Sequence, residues 1–151
     1  MSPFKDIAEA YEIADDAMRA KMGAVRMASA ADKFDELYLL SKITANAYFF
    51  MLFARFEHLV TQLALSEAET GRKASISRER RVWSVIDVRK MDFLRRLALL
   101  TDKGSPDYAT VKELYEDRNA IAHGSLIETK PNVKVIAAKL SGILSRLEGI
   151  P

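Results

Sequence analysis

The sequence predicts an all-helical fold, a single-domain antiparallel bundle of about five helices spanning residues 1–151. Three observations predict it. Apolar residues recur at helical spacing along most of the chain, no segment alternates with period two, and helix punctuation stands at Ser105 with Pro106 and at Gly124.

Phe4, Ile7, Ala8, Tyr11, Ala14, Met18, Met22 and Val25 follow the i, i+3, i+4, i+7 rhythm of a first helix, with Gly23 marking an end or a bend. Ser29 or Asp32 can cap a second helix, which runs through Leu37, Leu40, Ile43, Ala47, Phe50 and Ala54 to about Leu65 and stops before Gly71. Its middle is apolar nearly all round, so neighbours are expected to surround it. The apolar stretch at 43–56 is shorter than the ~20 residues of a membrane span and includes Asn46 and Arg55, so it reads as a core helix.

A polar loop over 71–77 follows, with Ser75 or Ser77 as N-cap of a basic helix at 78–96. Val82, Trp83, Ile86, Met91, Leu94, Leu97 and Ala98 are its expected buried side. Ser105 as N-cap, Pro106 at the first helical position and Asp107 at the positive end of the dipole start a fourth helix. That helix turns Val111, Leu114, Tyr115 and Ile121 inward and stops at Gly124, a left-handed C-cap. A last helix begins near Pro131 and keeps Val133, Ile136, Ala137, Leu140, Ile143, Leu144 and Leu147 on one side. No repeat, low-complexity tract or linker interrupts this order.

Composition narrows the function. A chain of this size buries roughly 68–70% of its unfolded surface, enough for a core without staples. The absence of cysteine excludes a disulfide framework and a thiolate metal site, and the acidic start lacks the basic patch and apolar run of a signal peptide. A cytoplasmic location with no membrane association is therefore expected. There is no GxSxG elbow, no GK[ST] phosphate loop and no HExxH, and His58 and His123 are the only histidines. Asp15 and Asp16 read as helix surface, so neither metal nor cofactor is expected.

Charge is uneven. Residues 72–96 hold nine basic side chains against Glu79, Asp87 and Asp92, a local +6 within a chain of net +2, so the remainder carries −4. Such a run reads either as a solvated helix face or as a surface that attracts phosphates, with Arg78, Arg80, Arg81, Arg89 and Lys90 as the candidate phosphate contacts.

The fourth helix ends in Arg118-Asn119-Ala120-Ile121-Ala122-His123-Gly124. Asn119 and His123 share a face, and Arg118 lies about 140° from the histidine, so all three can border one cleft at a fraying last turn. They can equally be punctuation: histidine suits a helix C-terminus, Asn119 can bond to it, and Arg118 can pair with Glu113, Glu116 or Asp117.

This segment resembles the RNxxAHG form of the Rx4–6H motif of the HEPN superfamily, small all-helical domains of which many are metal-independent ribonucleases. Phe53-Ala54-Arg55-Phe56-Glu57-His58-Leu59 is similar to the family's earlier helix, which often bears an acidic or polar residue facing the motif, and the likeness covers residues 31–148. The resemblance implies a toxin-like or defence endoribonuclease, acting as a homodimer whose two motif helices face each other across one RNA cleft. In that scheme the ribose 2′-hydroxyl attacks the adjacent phosphate and leaves 2′,3′-cyclic ends. His123 is general base or acid, since an imidazole titrates near ~6.5. Arg118 holds the phosphate, Asn119 orients the phosphate or the histidine ring, and Glu57 fixes Arg118 or assists proton transfer. The basic segment would be a phosphate track, and Tyr115 is either a base-stacking or a core residue. The alternative is an inactive dimeric module of the same architecture that binds RNA or a partner protein, such as a nucleotidyltransferase-like antitoxin.

Overall fold

Helical periodicity is realised over most of residues 2–149, which the computed structural model describes. In order come α1 (Lys5–Met27), α2 (Ala31–Arg72), α3 (Ser77–Ser84), a 3-10 turn (Val88–Lys90), α4 (Phe93–Leu97), α5 (Pro106–Ala122) and α6 (Val133–Leu147), with no strand among the described residues.

The chain divides into two compact units, Met1–Phe53 with Tyr115–Ser141 and Ala54–Leu114 with Gly142–Pro151. The first has a core of Phe4, Ile7, Ala45, Phe49, Leu52, Phe53, Val133 and Leu140, all nearly excluded from solvent. Tyr11 meets Tyr48 edge to face at 5.5 Å, and Lys134 Nζ donates to Glu12 Oε1 at 2.8 Å, so α1 is held to both α2 and α6. The second unit buries Phe56, Val60, Ala64, Val88, Phe93, Leu97 and Val111, with Phe56 against Phe93 at 6.4 Å. There Arg146 grips Asp107 with two bonds of 2.8 Å.

Two expected breaks are absent. α1 passes Gly23, and α2 passes Gly71 to Arg72. Gly71 serves a close approach: the Trp83 indole lies where its Cβ would stand. The left-handed residue after α1 is Ser29 (φ 57°), so Ser29 ends the first helix instead of capping the second. Its N–H donates to the Arg26 carbonyl and that of Ala30 to Val25, the paired bonds of a Schellman end.

The basic helix expected at 78–96 is broken into α3, the 3-10 turn and α4. Two aspartates break it. Asp87 Oδ1 accepts from Arg89 N at 3.2 Å and Asp92 Oδ1 from Arg95 N at 2.9 Å, each satisfying a backbone donor at a new helix start. Arginines donate to carbonyls along this segment. Arg72 donates to Trp83 and Ile86, Arg80 to Ala74 and Ser75, and Arg96 to Val88 and Arg89 while also reaching Thr61 Oγ1 at 3.1 Å. Neither Ser75 nor Ser77 caps α3: Ile76 stands at the N-cap without a side-chain bond, so the first turn has no side-chain acceptor there. Val82, expected inside, is exposed.

The middle of α2 is not surrounded. Leu39, Leu40, Ile43 and Met51 are 51%, 43%, 43% and 51% exposed, and Ala47 among them is exposed too. These positions fall within about 120° of the helix circumference, opposite Ala45, Phe49, Leu52 and Phe53. α2 therefore has two apolar faces, of which only one is covered. As a whole helix, longer than its apolar stretch, it also contains an 18-residue window long and apolar enough by composition to cross a membrane, one third of which is buried.

Candidate active site at the end of α5

Ser105 caps α5 as expected, its hydroxyl accepting from Tyr108 N at 3.1 Å. The far end is a second Schellman motif. Gly124 (φ 88°) donates to Ile121 O at 2.9 Å and Ser125 to Ala120 O at 2.9 Å, which makes His123 the C-cap residue. Its own amide still points into the helix, at 3.1 Å from Asn119 O and 3.2 Å from Ala120 O. The imidazole is exposed and has no hydrogen-bond partner among the described residues.

Arg118 is half-buried, and its guanidinium lies 5.2 Å from the centre of the Phe50 ring. An aromatic face in that position attracts the cation and restricts where the planar fork can point. Arg118 Nη1 donates to Asn119 Oδ1 at 3.0 Å, so the asparagine holds the arginine, where the sequence left it free to bond His123 instead. Arg118, Asn119 and His123 thus stand together at the end of one helix within the first unit. Glu57 is half-buried on α2 and belongs to the second unit; its backbone carbonyl accepts from Thr61 Oγ1 at 2.8 Å. Tyr115 packs on Phe53 with ring centres 6.1 Å apart, the core role of its two readings.

The connection from His123 to α6 is tied down at two points. Ile127 N donates to Asn46 Oδ1 at 2.9 Å, and the Asn46 amide nitrogen donates to Lys42 O at 2.8 Å, so this 1%-exposed side chain is bonded at both ends. Lys130 Nζ reaches Asp15 Oδ1 at 2.8 Å and Ser41 Oγ at 2.6 Å. Asp15 also accepts from Arg19 Nε at 2.7 Å and from the Tyr11 hydroxyl at 3.3 Å. Burial alone would raise the Asp15 carboxyl, but the bonds and charges of Lys130 and Arg19 outweigh it and hold it below the usual carboxylate range. Burial raises the Tyr11 phenol.

Of the basic candidates in the second unit, Arg78, Arg81 and Arg89 are exposed with side chains engaged by no described residue, whereas Arg80 is spent on carbonyls and Lys90 lies 3.4 Å from Asp87. Sequence reasoning missed Phe50, Asn46 and Lys130 as supports of the motif. Asn46 had a signal, a lone amide within an apolar run; Phe50 and Lys130 had none that set them apart.

Compared with family models, with curated proteins and with solved structures, the chain matches none.

Proposed function

We propose that this protein is a metal-independent endoribonuclease of HEPN type that acts as a homodimer. The observation that carries the reading is the pairing at the end of α5 of a positioned guanidinium, braced by Phe50 and Asn119, with an exposed imidazole at the C-cap. Phosphodiester cleavage needs both groups. His123 takes the proton of the ribose 2′-hydroxyl as it attacks phosphorus, or gives one to the departing 5′-oxygen; Arg118 stabilises the charge that grows on the phosphate oxygens. The product is a 2′,3′-cyclic phosphate, and DNA, lacking the hydroxyl, is inert.

One histidine cannot be both acid and base in the same step, and a second copy supplies the other. The uncovered face of α2 supports that assembly: it is apolar, it lies in the same unit as the motif, and Phe50, beneath Arg118, sits about 20° round the helix from Leu39. Exposed Arg78, Arg81 and Arg89 add attraction for the phosphate chain.

The test is incubation of total and transfer RNA with the purified protein in EDTA, beside Arg118→Ala and His123→Ala. Cleavage to cyclic-phosphate ends, lower by about 100-fold or more in both variants, is expected. Binding without cleavage by a folded dimer identifies an inactive RNA-binding or partner-binding module, and equal cleavage by His123→Ala rejects the assignment of the histidine.

A further inference from the structure

Ten residues, 123–132, join α5 to α6 without regular structure. Ordering such a segment costs conformational entropy at every residue, so a catalytic group at its start is well placed only if the segment is already fixed. Two anchors fix it, one buried and one partly buried. The Schellman bond from Ser125 closes the helix end, the Ile127 amide is fastened to Asn46 within four residues of His123, and Lys130 is fastened to Asp15 and Ser41 three residues later.

Neither anchor is needed to fill the core. Asn46 interrupts the apolar buried side of α2, where Ala45, Phe49, Leu52 and Phe53 surround it in sequence, and a buried amide is tolerated there only because both of its ends are bonded. An apolar residue would pack as well but would leave the Ile127 amide unmet. The Asp15 carboxylate already has Arg19, so Lys130 is not required to neutralise it. What the two side chains share is the strand of chain they hold.

We infer that Asn46 and Lys130 are positioning residues for His123, acting through the backbone of 124–130 to set the site at which the C-cap imidazole meets the ribose. The inference rests on the ribonuclease reading for its catalytic consequence but not for its structural one.

Asn46→Ala and Lys130→Met are compared with Leu140→Ala, a fully buried core position outside this segment. Amide exchange at Ile127 and the ring resonances of His123 are followed by NMR in each, together with kcat and KM on transfer RNA. Ile127 exchange at least about tenfold faster in the two anchor variants than in Leu140→Ala, and displaced His123 resonances, are expected. A fall in kcat of about tenfold with KM within about threefold goes with them. Unchanged His123 resonances overturn the inference, as does a kcat loss no larger than in Leu140→Ala. If the wild-type protein does not cleave RNA, the ribonuclease reading fails while the exchange and resonance data still decide the positioning role. Should Asn46→Ala not fold, Lys130→Met decides alone, because Asp15 keeps Arg19.

Discussion

Replacing Arg96 separates the two kinds of arginine in the basic segment. Its guanidinium donates to Val88 O at 3.0 Å, to Arg89 O at 3.2 Å and to Thr61 Oγ1 at 3.1 Å, joining the 3-10 turn to α2 within the second unit. Arg96→Met keeps much of the side-chain length and removes every donor. Three bonds of net worth about 0.5–1.5 kcal/mol each, partly offset by water reaching a half-exposed site, give a loss of about 2–3 kcal/mol. For a chain of about 150 residues that corresponds to a drop of about 4–12 °C in Tm. Arg96→Lys, which can restore one of the three bonds, should recover about a third of it. The assay is thermal and urea unfolding followed by circular dichroism, with Arg89→Met as the reference. Arg89 is exposed and its side chain engages no described residue, so its loss should move stability by less than about 0.5 kcal/mol. It should instead lower the slope of log affinity for RNA against log salt by about 1. If Arg96→Met unfolds within about 0.5 kcal/mol of wild type, the carbonyl bonds do not hold this segment and the division between structural and RNA-facing arginines is wrong.

Other outcomes follow from single contacts. Phe50→Ala removes the ring beneath Arg118, worth about 1 kcal/mol, and should slow RNA cleavage about fivefold, measured as kcat/KM; an unchanged rate removes Phe50 from the site. Gly71→Ala should cost about 1–3 kcal/mol in urea melts because the new methyl must displace the Trp83 indole, and a neutral result would show that the ring yields freely. Asp15 is held below its ordinary value in the folded chain, so its stabilising share is present above the unfolded value of about 3.9 and is lost as pH falls through the lower folded value. Stability of Asp15→Asn should therefore fall less than wild type between pH 5 and about pH 2, and parallel curves would contradict this. Ile43→Glu, on the uncovered face of α2, should turn a dimer into a monomer in sedimentation, while a dimer that survives it must form elsewhere.

Both limits of α5 were readable from local chemistry. Ser105 and Pro106 at the start of α5, and Gly124 just past its end, act through bonds a few residues long, and the sequence carries all of that information. Gly71 failed as a stop signal because a glycine is also used for close packing, and whether Trp83 arrives depends on residues a dozen positions away; Gly23 has open space around it and is simply carried within its helix. The basic helix failed for a related reason. Asp87 and Asp92 read as charges balancing arginines, whereas they cap new turns, and the arginines that donate to carbonyls of this segment do so from as far as 14 residues off. The period of α2 was right, but periodicity cannot say which of two apolar faces meets the rest of the chain. At the candidate site the motif residues were legible as a set. Their supports, Phe50 under Arg118 and Asn46 on the following loop, come from another helix and depend on how the chain packs.

Trp83 is the chain's single tryptophan, and it rests on Gly71 beside the backbone that Arg72 holds. Intrinsic fluorescence of this protein is therefore a local signal from the α3 corner of the second unit. Quenching on addition of RNA would place the nucleic acid at that corner, and an unaltered emission would leave engagement of the α5 terminus to be read by a label introduced there.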